Sequence, residues 1–135
     1  MPDDRASGAM RRNERGSAVV EFALVLPIVL LVLLAVVQVG VLARDRLVLS
    51  QAARAGARTA AIEPSDAEVN DAVRVAAVGL DPSRLSVAVS RSGTRGSPVT
   101  VSVRYTAPVA DLLGGWLLPS TVELVSAATD RQEFG

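Results

Sequence analysis

The sequence predicts an α+β, membrane-anchored fold. A long N-terminal transmembrane helix continues into a small head with one short helix and about three antiparallel strands. Three observations predict it. The segment from Phe22 to Ala43 is apolar except for Gln38, which meets the roughly 20 residues that a spanning helix needs. Helix-forming sequence then runs on to Ile62 without a breaker. After Glu63-Pro64 the apolar residues fall first on a helical stripe and then on alternate positions, the change of period that separates helix from strand. Composition agrees, since 50% of the 135 residues are hydrophobic but only 3% aromatic, a balance that favours a membrane segment plus a head over a single soluble core.

Residues 1–16 are polar and carry Arg5, Arg11, Arg12 and Arg15 against Asp3, Asp4 and Glu14. They read as a flexible leader. Residues 17–43 form the transmembrane helix. The apolar run is longer than the 7–15 residue core of an ordinary secretory signal, and no A-x-A-like cleavage site follows it. Arg11-Arg12 is followed by Asn13-Glu14 rather than by a hydrophobic residue, so a twin-arginine export signal is set aside. Four arginines precede the span and four follow it closely, Arg44, Arg46, Arg54 and Arg58; charge alone therefore does not orient the chain. The asymmetry of size, a short leader against a larger polar remainder, favours an internal N-terminus and an external head.

Residues 44–63 are the extramembrane extension of the helix. On a 3.6-residue wheel Leu49, Ala52, Ala53, Gly56 and Ala60 share one face, and Gln51, Arg54 and Arg58 share the opposite one. A helix from Ser17 to Ile62 is ~68 Å long at ~1.5 Å per residue, more than twice the ~30 Å hydrocarbon thickness. Its second half must stand outside the bilayer.

Residues 64–135 form the small α+β head. Ser65-Asp66-Ala67-Glu68 fits a capping box, in which Ser65 and Glu68 satisfy each other's backbone N–H groups. The helix that follows places Val69, Ala72, Val73, Ala76 and Leu80 on one stripe, and Gly79 with Asp81-Pro82 supplies its stop. Leu85/Val87/Val89 and Val99/Val101/Val103/Tyr105 alternate on either side of Ser92-Gly93-Thr94-Arg95-Gly96-Ser97, the signature of an antiparallel hairpin. A third strand spans about Thr121 to Thr129, after the apolar loop that contains Trp116. That loop reads as core, or as a patch for a partner or the membrane interface. A head of this size has a marginal core without disulfides, so it is expected to pack on the small-residue face of the helix, where Ala52, Gly56 and Ala60 permit close approach. Gly40 belongs to the same set of small helix-packing residues, with the chain's own head or neighbouring subunits as the surface packed against.

The chain has no cysteine and no histidine. Disulfides, thiolate nucleophiles, Ser-His-Asp arrangements and nearly all transition-metal sites are thereby excluded. No Walker-type phosphate loop occurs, and 14 basic against 14 acidic residues leave no basic surplus for nucleic acid. Glu63, Asp66 and Glu68 are accounted for by helix ends. No enzyme activity, catalytic residue, metal or cofactor is expected.

The remaining chemistry lies at the start of the span, where Arg15-Gly16-Ser17-Ala18-Val19-Val20-Glu21-Phe22 places one carboxylate in apolar surroundings. A charge costs about 2.5 kcal/mol or more at a bilayer centre and less near the interface, so Glu21 calls for a partner or for the favourable field of a helix N-terminus. Pro27 lacks the N–H that would bond Ala23 and should loosen the helix locally; the soft point is tolerated in a membrane helix.

Gly16-Ser17 with Glu21 resembles a type IV prepilin processing site, with the cut after glycine and glutamate fifth in the mature chain. The longer stretch from Gly16 to Pro27, with Ala52-Ala53-Arg54-Ala55-Gly56-Ala57-Arg58 beyond the span, resembles the TadE-like pseudopilins of tight-adherence (Flp) pilus systems. The resemblance covers Arg15 to Ala61, and the head agrees only in its pilin-like layout. It implies Gly16 and Ser17 as processing site and Glu21 as the residue that pairs with the new amine of a neighbouring subunit. It further implies a prepilin peptidase, other pilin or pseudopilin subunits and pilus assembly membrane proteins as partners, besides the lipid bilayer. The implied location is the cytoplasmic membrane, single-pass, and a cell-surface pilus after processing. An uncleaved bitopic scaffold of the same kind of secretion apparatus is the alternative.

Overall fold

The computed structural model describes residues 4–109 and 120–134, with side chains from residue 16 onward. In chain order it has helix α1 (Asp4–Ile62), helix α2 (Asp66–Ala76), a single 3-10 turn (Pro82–Arg84), and strands β1 (Leu85–Arg91), β2 (Pro98–Pro108) and β3 (Thr121–Arg131). The expected α+β architecture is present. The loop around Trp116 lies outside the described residues.

The chain divides into two compact units, Met1–Val39 and Gly40–Gly135. The described residues of the first are all helical. Its apolar side chains from Val19 to Val39 stand exposed, and α1 is the one described helix long and apolar enough to cross a membrane. Residues 4–16 are helical, where the sequence reading expected a flexible leader. Arginine, alanine, methionine and glutamate are good helix formers, and Gly8 and Gly16 each cost only about 1 kcal/mol. The polar composition was therefore no bar to helix.

The second unit contains its own core. Its sheet has the order β1-β2-β3, with Leu85 opposite Tyr105, Val87 opposite Val103 and Val89 opposite Val101. Across the other edge of β2, Tyr105 faces Leu124 and Val101 faces Ala128. Alternation is decisive in β2, where Val99, Val101, Val103, Tyr105 and Ala107 are all buried and their neighbours in sequence turn outward. Successive side chains point to opposite faces of a sheet, so one face is apolar and the other carries Ser86, Thr100, Ser102 and Arg104.

The apolar face packs on α1 and α2. Leu49, Ala52, Ala53 and Ala60 of α1 are completely buried, as are Val69 and Val73 of α2, while Gln51, Arg54 and Arg58 are exposed. The predicted wheel is the observed one. Gly56 explains how closely the layers approach: a Cβ there would lie 2.5 Å from Val73 Cγ2 and 3.1 Å from Val101 Cγ1. Both distances are well inside van der Waals contact, so only glycine lets α2 and β2 meet the helix at that level.

The capping box does not form. Ser65 is the N-cap of α2 with extended backbone, but its side chain makes no capping hydrogen bond, and Glu68 is exposed. Asp66 is instead drawn to Arg91, whose Nη1 donates to its Oδ1, while Arg91 Nη2 donates to the Glu63 carbonyl at 3.2 Å. Helix α2 stops at Ala76, before Leu80, which the sequence reading places on its stripe; Gly79, at φ 81°, lies in the turn that follows. Beyond β3, the Gln132 N–H donates to the Ser97 carbonyl and the Glu133 N–H to the Ala61 carbonyl near the end of α1, at 2.9 and 2.8 Å.

Candidate functional site

Gly16, Ser17 and Glu21 lie on α1 and are exposed. Residues four apart are neighbours on a helix surface, so Ser17 and Glu21 share a face. With Gly16, Val20 and Leu24 they line one shallow open groove. The helix continues through Gly16-Ser17, and space around Gly16 is open, with nothing within 4 Å of where a Cβ would stand. Glu21 has no hydrogen bond or ion pair among the described residues. Val19, Val20, Phe22 and Leu24 around it are 60–70% exposed. The arrangement is a single carboxylate on an unshielded apolar helix, one turn beyond a glycine-serine bond.

The residues singled out for helix packing divide. Ala52 and Ala60 are fully buried and Gly56 is enclosed by Val69, Val73 and Val101. Gly40 is exposed, with nothing within 4 Å of its would-be Cβ, and takes no part in packing within the chain. Its membership of that set does not hold for intramolecular contacts, because the head's layers lie against the helix farther along.

On the opposite side of the helix, Gln51, Arg54, Ala55 and Arg58 line a second shallow groove. Arg54 and Arg58 have no ion pair among the described residues. Asp81 has a distinct electrostatic setting. The Ser83 hydroxyl and then the Ser83 N–H, at 2.7 and 2.9 Å, hold it below the usual carboxylate range, with a smaller contribution from the Arg84 guanidinium.

Two charged residues in the head's packing escaped the sequence reading, and each carries a signal. Arg91 follows Leu85, Val87 and Val89 at the next inward position of β1, a charge in an apolar phase. Asp45 stands four residues before Leu49 on the buried face of α1; it is only 6% exposed and accepts from Arg44 Nη1 at 3.3 Å.

No curated protein and no solved structure matches the chain. A family model does, that of TadE-like protein, over residues 16–58. The matched segment begins at Gly16, contains Ser17 and Glu21, passes through the apolar span and ends at Arg58, just past the buried Ala52 and Gly56. Residues 16–58, the apolar helix and the first part of its extension, are thus the part of the chain that is similar to TadE-like protein.

Proposed function

We propose that this chain is a TadE-like pseudopilin or minor pilin subunit that takes part in Flp-type pilus assembly or secretion. It sits in the cytoplasmic membrane as a single-pass protein, N-terminus inside and head outside. A prepilin peptidase cuts between Gly16 and Ser17, so the chain is a substrate rather than an enzyme. The new amine at Ser17 then pairs with Glu21 of a neighbouring subunit. Charge-assisted hydrogen bonds are strong where water is scarce, and such a pair fixes the axial register of adjacent helices.

The observation that carries this reading is Glu21, a carboxylate on an apolar helix face with no partner among the described residues. A charge so placed is stabilised by a partner from another molecule. Intact-mass measurement or N-terminal sequencing of the membrane-extracted protein tests it, with a mature chain beginning at Ser17 as the expected result. Recovery of only the full-length chain from cells that contain the peptidase would overturn the cleaved reading.

The second reading, an uncleaved bitopic scaffold, is favoured by one observation: the Gly16-Ser17 bond lies inside a continuous helix. On that reading Gly16→Ala leaves assembly unchanged while removal of the head abolishes it.

A further inference from the structure

The exposed faces of α1 and α2 in the Gly40–Gly135 unit carry opposite charge in matching patterns. On a 3.6-residue wheel Leu47, Gln51, Arg54 and Arg58 fall within about 60° of arc, as do Glu68, Asp71 and Val75 on α2. All of them are exposed, with Leu47 at 67%, Val75 at 78% and Val78, just beyond α2, at 70%. Arg54 and Arg58 are like charges one turn apart, and so are Glu68 and Asp71. Such pairs are mildly unfavourable on an isolated helix. None of the four has an ion pair among the described residues; Arg74, one turn from Asp71, makes none with it.

We infer that these two faces are the two halves of one interface between copies of this chain, the basic face of α1 in one copy meeting the acidic face of α2 in the next. Within a copy, α2 runs back along α1, because Val69 and Val73 lie at Gly56 while Gly79, farther on, lies at Arg44. Copies inserted in one membrane with the same topology have α1 running in the same direction. A neighbour's α2 therefore meets α1 antiparallel.

In that sense Arg58 falls opposite Glu68 and Arg54 opposite Asp71, and Leu47 reaches the Val75 and Val78 end of α2. The height agrees as well. Asp71 of a copy's own α2 stands level with Gly56, midway between Val69 and Val73. Opposite a neighbour's Arg54 it is displaced by two residues, about 3 Å. Neighbours thus sit at nearly equal height, as copies anchored at one depth of a flat bilayer must. The contact joins two different patches, so it is heterologous and propagates into a ring or an open helical array. Complementary charge gives it register and partner choice.

The inference rests on the membrane topology proposed above but not on cleavage. Because the native chain has no cysteine, crossed disulfides test it cleanly in membranes. Full-length Gln51→Cys and Val75→Cys chains are co-expressed and oxidised. The expected product is the mixed 51–75 dimer, and a chain with both substitutions gives a ladder of higher oligomers. Adding Arg54→Glu and Arg58→Glu to the first chain should abolish the mixed product. Adding Glu68→Arg and Asp71→Arg to the second should restore it, which also shows that both reversed chains fold. Absence of the 51–75 product, dominance of 51–51 or 75–75 dimers, or failure of the double reversal to restore crosslinking overturns the inference. The mass of the same membrane-extracted chains reports cleavage separately. In cells that contain the peptidase, crosslinking of chains that keep residues 1–16 would leave this interface standing and remove the cleaved reading; cleaved chains that do not crosslink would do the opposite.

Discussion

Gly56 stands so close to Val73 that a single added methyl group would lie 2.5 Å from the valine Cγ2. Val101 of β2 lies on the other side of the same spot. One position on α1 thereby sets the distance of both the second helix and the central strand.

Gly56→Ala is therefore expected to destabilise the head by about 1–3 kcal/mol, the usual range for overpacking a filled core. Gly40→Ala is the control. Nothing stands within 4 Å of its would-be Cβ, and alanine is the better helix former by about 1 kcal/mol. Denaturant unfolding of the two full-length variants in detergent micelles, followed by circular dichroism, should move in opposite directions or leave Gly40→Ala unchanged. Equal losses would show that Gly56 is not a packing constraint.

Arg91 joins three elements through one guanidinium, donating to Asp66 at the start of α2 and to the Glu63 carbonyl just past α1 from its place on β1. Its side chain is 19% exposed, that of Asp66 62%. Arg91→Met should cost about 1–2 kcal/mol, because it removes two charge-assisted hydrogen bonds at once, both to exposed acceptors. Asp66→Asn should cost less than about 1 kcal/mol, as for an exposed ion pair. A larger loss from Asp66→Asn than from Arg91→Met would contradict this order.

Asp81 supplies a pH-dependent element. Its carboxyl titrates below the usual range because Ser83 donates to it from the hydroxyl and from the backbone. A carboxyl whose folded pKa is depressed stabilises the fold above its ordinary pKa. That contribution is lost as pH falls through the depressed value. Ser83→Ala should move the Asp81 titration upward, read by carbon-detected NMR of the carboxyl. A titration that stays where it was would exclude the hydroxyl as its main cause.

Glu21→Gln separates processing from assembly. The amide keeps the shape but cannot pair as an anion with an amine. Cleavage at Gly16 is expected to continue while recovery of the subunit in assembled complexes falls. Gly16→Val should retain the full-length chain, and assembly should fall with cleavage because no new amine forms at Ser17. Normal assembly of the Glu21→Gln chain would remove the pairing role.

Periodicity made the buried faces legible. Leu49, Ala52, Ala53 and Ala60 were readable because alanine and leucine repeat at helical spacing opposite arginines. The β1–β2 hairpin was readable because valines alternate around a glycine-rich turn. Where a side-chain motif competed with a tertiary partner, sequence misled: Ser65 and Glu68 match a capping box, but Asp66 between them is engaged by Arg91 from 25 residues away. The link from Glu133 to Ala61 joins backbone to backbone and leaves no trace in residue types. Gly40 and Gly56 are both single glycines in a helix, and only the neighbours brought by the fold distinguish them. At the candidate site, Gly16, Ser17 and Glu21 were legible as spacing, whereas the absence of any partner for Glu21 among the described residues belongs to three dimensions.

The bond from Glu133 to Ala61 also bears on how the head is held at the end of the helix. Besides the packed face of Leu49, Ala52, Ala53 and Ala60, the end of α1 and the residue after it are tied to the head by the covalent link to α2, by the Arg91 bond from β1 to the Glu63 carbonyl and by the Glu133 bond from beyond β3 to the Ala61 carbonyl. The two outer strands are thus tethered directly to the end of the helix. Fraying of the last turn of α1 would therefore loosen both edges of the sheet together, and the short Glu63-Pro64-Ser65 connection is not the sole tie between helix end and head.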